Sequence, residues 1–251
     1  LEADLEVLDL ALDCLRGAGL AELTLDLADA RIVRALLAGV EATRRAGIEA
    51  ALAGKDAAGL AELCVGLEEA SRRAVLALPA LYGDEAVLAR ARELLPALAP
   101  VRAALADLVT LARHVRQAHP EVKVGFDLAD VGGSSYYSGA RFAVYAKGSS
   151  DSIARGGRYD EVGAIFGRNR PAVGFSLDLK ELAERVPGRV GRPAVRAPWS
   201  EDAGLRAAVR RLREQGETVV CILPGHGHEG QEFECDRELV AVAGQWAVRA
   251  L

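Results

Sequence analysis

The sequence predicts an α+β fold: an antiparallel sheet flanked by helices, with a helical insert and a small α/β unit at the end. Three observations predict it. Residues 41–119 keep helical spacing almost throughout, in pieces divided by glycine and proline. Segments between 122 and 178 alternate with strand period around glycine-rich connections. Residues 188–251 read strand, helix, strand and hairpin. The expected organisation is a core over 1–187, including the insert 41–119, and a second domain over 188–251.

Each element has its own signal. In LEADLEVLDLALDCLRGAGL, Leu5, Leu8, Leu12 and Leu15 share one helical face, and Gly17 and Gly19 stop it. LTLDL alternates Leu23, Leu25 and Leu27 against Thr24 and Asp26, the mark of a half-buried strand. Ile32, Val33, Leu36, Leu37 and Val40 restore a helix. Helical pieces follow, with breaks expected at Gly54, Gly59, Pro79, Gly83 and Pro96. In Asp84 to Leu95, acids precede arginines, as a helix dipole favours.

VKVGFDLAD and RFAVYA then alternate again, and their glycine-rich connection predicts that they pair antiparallel. Gly156-Gly157 reads as a turn leading to a helix from about Asp160. A strand through Gly174 runs into a helix over 177–186. In the tail, RPAVRAP reads as an edge strand, EDAGLRAAVRRLREQGE as a helix and TVVCILPG as a buried strand. A hairpin turns at Ala243-Gly244.

Composition narrows the function. Of 251 residues, 51% are hydrophobic and 27% charged, ordinary for a globular chain. A net charge of −5 argues against a nucleic-acid surface. No apolar run is long enough for a bilayer and no leader pattern is present, so the expectation is a cytoplasmic protein without a membrane partner. The chain opens on a leucine within a helix and has no methionine, which reads as an N-terminal truncation. Cys14, Cys64, Cys221 and Cys235 are scattered, expected as small buried apolar residues rather than zinc ligands.

The stretch GGSSYYSGARFAVY sets a tyrosine pair among glycines with no acid, base or nucleophile in that pair's loop. Tyr136 and Tyr137 either line a pocket or place one ring in the core and one outside. Arg158, in GGRYD, either contacts a ligand or pins its turn by pairing with Asp160 or Asp127. His226 and His228 invite a metal reading with Glu229 or Cys235. No third ligand stands at a fixed spacing, so a surface loop and no metal are expected. Arg206, Arg210, Arg211 and Arg213 share a helix whose inward side is Leu205, Val209 and Leu212; they are a solvated face or meet an acidic partner.

In this order the motifs resemble the histidyl-tRNA synthetase family, of class II aminoacyl-tRNA synthetase fold. Gly132-Gly133-Ser134-Ser135-Tyr136-Tyr137-Ser138-Gly139 matches its arginine-glycine-x-x-tyrosine-tyrosine-x-glycine strand, Gly156 to Asp160 its Gly-Gly-Arg-Tyr-Asp turn, and Ala172 to Leu182 the third class II motif. The first two class II motifs are expected before residue 1. The resemblance implies a histidine site at Tyr136, Tyr137, Gly133, Gly139, Gly157, Arg158 and Gly174. It also marks three lost synthetase positions. Gly132 stands for the activating arginine, Glu181 for the arginine facing ATP, and Asp178 for a glycine beside the nucleotide. Synthetase chemistry is therefore expected to be lost.

Within that fold the chain is similar to the regulatory subunits of ATP phosphoribosyltransferase. That branch carries a short C-terminal unit in place of a tRNA anticodon-binding domain. The resemblance implies a non-catalytic protein of histidine biosynthesis with no cofactor. Its implied partner is the short-form ATP phosphoribosyltransferase catalytic subunit, its allosteric ligand histidine, and its assembly a homodimer within a hetero-oligomer. The alternatives are a histidyl-tRNA synthetase or another synthetase-like protein that binds an amino acid or RNA.

Overall fold

Leu23–Asp29 (β1) alternates buried leucines with half-buried Thr24 and Asp26, and the first unit of the structure is built on this strand. The structure, a computed structural model, describes residues 1–132, 136–163, 167–168, 170–186, 193–225 and 233–251. It divides into two units, Leu1–Pro187 and Gly188–Leu251.

In the first unit, β1 is flanked by β3 (Lys123–Asp127), parallel to it, and β4 (Ala140–Ala146), antiparallel to it. With β2 (Tyr82–Gly83), β5 (Ala154–Arg158) and β6 (Val173–Leu177), the sheet order is β2-β3-β1-β4-β5-β6. The expected pairing of β3 with β4 is therefore corrected, because β1 stands between them. Neighbouring strands are about 4.8 Å apart, so the connection between β3 and β4 readily spans one intervening strand. The Gly156-Gly157 turn is corrected too: both glycines lie inside β5, and the chain turns at Asp160-Glu161 instead.

A parallel pair needs a crossover, and the helices between β1 and β3 supply it. They are α2 (Ala30–Leu36), α3 (Ala42–Ala53), α4 (Ala57–Leu63), α5 (Glu69–Ala77), α6 (Ala86–Leu94) and α7 (Ala99–Ala118). Most of the expected breaks fall between these pieces. Gly59, however, lies inside α4, its N–H held by the Asp56 cap at 3.0 Å. The break after Cys64, where Gly66 has φ +81°, was not legible.

Helix α7 buries Val101, Leu105, Leu108, Leu111 and Val115 and packs on β1 and β3. Beside it lies α1 (Glu2–Gly17), with Leu8, Leu12 and Leu15 buried against the same side of the sheet. The end of the region read as an insert is thus part of the core layer. Helix α8 (Leu179–Arg185) follows β6 directly.

The second unit has strand order β10-β9-β7-β8, from β7 (Ala194–Pro198), β8 (Val219–Ile222), β9 (Cys235–Val242) and β10 (Gln245–Ala250). Strand β7 is interior and β8 is an edge, the reverse of the sequence reading. Ala194, Val195 and Ala197 are buried, and Pro198 closes the strand, where a missing N–H disturbs the ladder least. Helix α9 (Ala203–Glu214) buries Leu205, Val209 and Leu212, leaving its arginines outward. The hairpin turns at Ala243 and Gly244, with φ +47° and +79°. Of the cysteines Cys64 is buried, but Cys14 is exposed, against expectation. No helix of the described residues is long and apolar enough to cross a membrane.

Candidate functional site

Side chains alternate across a strand, so β1 turns its leucines to the helices and Thr24, Asp26 and Ala28 to the other face. Strand register extends that second face. Gly125, Asp26, Ala143, Arg155 and Ser176 stand side by side in one row, and Ala28, Arg141, Gly157 and Gly174 in the next. Opposite them, Leu25, Leu27, Phe142, Val144 and Phe126 belong to the core. One face of the sheet is thus apolar and covered by α1 and α7, while the other carries charge among residues without bulk.

The tyrosine pair lies at this polar face. Tyr136 is exposed and Tyr137 half-buried, their ring centroids 5.2 Å apart edge to face. Tyr159 stacks on Tyr136 at 4.9 Å, and its hydroxyl lies over Gly174, 2.5 Å from where a Cβ would be. Burial pushes the Tyr137 phenol above its ordinary value, against the opposing pull of Arg141 and Arg155. Tyr145 is raised by burial as well, then by Asp26 and Asp130. Both phenols therefore keep their protons at neutral pH and remain hydrogen-bond donors.

Arg141 links the tyrosines to the acidic side of the face. Its guanidinium carbon sits 5.0 Å from the Tyr137 ring centroid, and its Nη2 is 2.8 Å from Asp130 Oδ2. The Gly132 N–H donates to Asp130 Oδ1 at 3.0 Å, and a Cβ on Gly132 would come within 3.2 Å of Arg141 Nη2. Where the resemblance expects an arginine, a different arginine already fills the neighbouring space. Arg34 donates to the Tyr137 carbonyl at 2.9 Å and pairs with Glu161 at 3.0 Å. The Asp26 carboxyl is raised by burial, and further by Asp127 and Asp130, with Lys55 opposing.

Of the residues singled out in the sequence, Tyr136, Tyr137, Gly157 and Gly174 come together around Tyr159 and Arg141. Gly157 has no room for a side chain: a Cβ would lie 2.6 Å from the Ala140 carbonyl oxygen and 2.7 Å from Arg141 Cα. Arg158 turns to the helix side. Its Nε and Nη2 bind Asp4 of α1, the former at 3.1 Å, and its Nη1 meets Asp160 Oδ1 at 3.1 Å. Of its two readings, the geometry is that of a pin, held by Asp160 and by Asp4 rather than Asp127. Gly139 packs on it, with the Arg158 Cδ 3.0 Å from a Cβ position.

Gly133 lies outside the described residues, as do His226, His228 and Glu229. Asp178 caps α8, accepting from the Lys180 and Glu181 amides at 3.0 and 3.1 Å. Glu181 pairs with Arg185 at 3.3 Å. The first carboxylate builds the helix start, and the second is held along the helix by an arginine of its last turn.

Arg141, Arg155, Tyr159 and Asp26 were not singled out from the sequence. A signal existed for two of them: a strand that buries Phe142 and Val144 must present Arg141 to the opposite face, and the leucine alternation of β1 does the same for Asp26. The partners of Arg141 lie on other elements and left no local trace.

Comparison with known proteins places the chain in a family. Residues 1–182 match the family model described as histidyl-tRNA synthetase. Residues 192–249 match that of the ATP phosphoribosyltransferase subunit HisZ C-terminal domain. Two curated relatives, from Verminephrobacter eiseniae and Variovorax paradoxus, are called ATP phosphoribosyltransferase regulatory subunit. They are 56% and 57% identical over all of this chain, which spans 65% and 66% of their own length. A crystal structure described as an ATP phosphoribosyltransferase regulatory subunit/histidyl-tRNA synthetase from Bacillus halodurans superposes with a TM-score of 0.69. It is 27% identical, over 87% of this chain and 58% of that one. The class II synthetase-like sheet and the short C-terminal unit are thus found together, and the chain belongs to the histidyl-tRNA synthetase family, ending in a domain of the HisZ type.

Proposed function

We propose that the protein is a non-catalytic regulatory subunit of ATP phosphoribosyltransferase, acting in the cytoplasm in the first step of histidine biosynthesis. It pairs with the short-form catalytic subunit, as a homodimer within a hetero-oligomer. Histidine binds beside Tyr136 and Tyr137, where Gly157 and Gly174 give room for Arg141 and Tyr159 to approach, and biases two states of the complex by its unequal affinity for them.

The observation that carries this reading is the use made of the three lost positions. Amino-acid activation develops negative charge between carboxylate and α-phosphate, and a preorganised cation there is worth several kcal/mol, about the 2.7–4 kcal/mol of one oxyanion donor. Gly132 supplies none, Asp178 is committed to capping the start of α8, and Glu181 is an acid paired along that helix with Arg185. The names of the relatives support the same reading.

The test mixes the full-length protein with a short-form catalytic subunit and follows transfer of the phosphoribosyl group to ATP, with and without histidine. Activity or histidine inhibition that depends on this protein is the expected result. No dependence and no co-purification would sink the assignment. Histidine-dependent ATP–pyrophosphate exchange would turn the reading to a working synthetase.

A further inference from the structure

Beside the tyrosine pair lies a cavity of about 460 Å³ whose charged lining is Arg34, Arg45, Arg141, Glu49, Asp130 and Glu161. Three cations face three anions, so the cavity is close to neutral overall but divided by sign. An inorganic phosphate or a nucleotide would bring two or more negative charges against three carboxylates. A zwitterion, with one ammonium and one carboxylate, matches such a lining without leaving either sign uncompensated.

Two of the three arginines, Arg45 and Arg141, keep a buried Nε without a hydrogen-bond partner among the described residues, and Arg141 is the more deeply buried of the two. Arg34 is committed on both terminal nitrogens, to Glu161 and to the Tyr137 carbonyl. Arg45 gives its Nη2 to the carbonyls of Leu37 and Val40 at 3.3 and 3.2 Å. Its side chain is half-buried, and among the described residues its Nε has no partner and no aromatic ring or carboxylate is found holding the guanidinium. Arg141 is 8% exposed. Its Nη2 holds Asp130, its Nη1 has only a 3.4 Å contact with the Asp130 carbonyl, and its Nε is buried without a hydrogen-bond partner among the described residues. A buried, unmatched guanidinium N–H carries a penalty that an incoming acceptor removes.

The fork is also fixed in place. Tyr137 stands against the guanidinium on one side and Asp130 holds its tip, so little side-chain entropy is left to lose on binding.

We propose that Arg141 receives the carboxylate of a zwitterionic amino acid in this cavity, and so sets the site's preference for an amino acid over a phosphate. The inference rests on the amino-acid reading given above and adds the residue and the ligand group that it engages.

The experiment titrates the full-length protein with L-histidine and with histidinol, its alcohol analogue, which keeps the imidazole and the ammonium but lacks the carboxylate. Wild-type protein is expected to prefer histidine by at least ~10-fold, since charge-assisted hydrogen bonds are the stronger class. Arg141→Met is expected to lose that factor for histidine while leaving histidinol unchanged. Arg141→Lys, which keeps charge and volume and so protects folding, is expected to fall between. Inorganic phosphate is expected not to displace histidine.

Equal wild-type affinity for the two ligands would overturn the proposal, as would a ratio left intact by both substitutions. Displacement by phosphate would overturn the zwitterion part. Failure of wild-type protein to bind histidine at all would remove the amino-acid reading itself, a result distinct from binding without discrimination.

Discussion

The Tyr159 hydroxyl occupies the space a side chain at residue 174 would need, 2.5 Å from the Cβ position of Gly174. That close approach starts a chain of contacts. Tyr159 stacks on Tyr136, Tyr136 meets Tyr137 edge-on, and Tyr137 faces Arg141. A glycine on β6 thereby decides where the guanidinium on β4 finds its aromatic neighbour.

Gly174→Ala is expected to displace Tyr159 and loosen the stack. Overpacking of this kind costs about 1–3 kcal/mol. Thermal unfolding should show a lowered Tm, and calorimetric titration a histidine affinity down by about 10-fold, the factor that 1.4 kcal/mol makes. Unchanged affinity would mean that the stack does not shape the site.

Gly132→Arg restores the residue type that the synthetase motif carries, but it would not restore the chemistry. The new side chain starts 3.2 Å from Arg141 Nη2, so two guanidinium groups would compete for Asp130. We expect weaker histidine binding and no ATP–pyrophosphate exchange. Appearance of exchange would show that Gly132 was the only missing cation.

Asp26 gives a prediction in pH. Burial and the neighbouring Asp127 and Asp130 raise its carboxyl in the folded state. A raised carboxyl favours its protonated form on folding, so stability is greatest below the unfolded value and is lost as pH climbs through the folded one. Ionised Asp26 is therefore a cost at pH 7. Asp26→Asn should unfold at a higher temperature than wild type at pH 7, and the gap should close as pH falls toward about 3.9. Melting curves across that range check it; a gap that widens in acid would reverse the sign.

The hairpin of the second unit holds Ala243 at φ +47°, a left-handed conformation that costs an alanine about 1–2 kcal/mol. Asn is favoured at this position of a two-residue turn. Ala243→Asn should raise the unfolding free energy by about 0.5–1 kcal/mol in urea titration, with histidine affinity unchanged. No gain would mean that the turn relaxes elsewhere.

Much of this was legible along the chain. The leucine alternation of β1, the three-and-four spacing of α1 and the Ala243-Gly244 turn are local patterns, each set by residues within one element. The tyrosine pair and the two glycine motifs stood out for the same reason. Where a prediction depends on which strand lies next to which, the sequence alone misleads: it pairs β3 with β4 and puts β7 at an edge.

The sequence by itself determined the elements, the alternation that gives the sheet a leucine face and a polar face, and the substitutions at residues 132, 178 and 181. Periodicity and residue type are properties of the chain, and they survive without knowledge of contacts. Only the tertiary structure decided what each charge does. Arg158 lies 154 positions from Asp4 yet is pinned by it, and Arg141 was one polar residue in an alternating strand until Asp130, Gly132 and Tyr137 closed around it. A charge's role depends on its neighbours within a few ångströms, because Coulomb energy and desolvation both vary steeply over that distance. Those neighbours are fixed by how strands and helices pack, not by where they fall in the sequence.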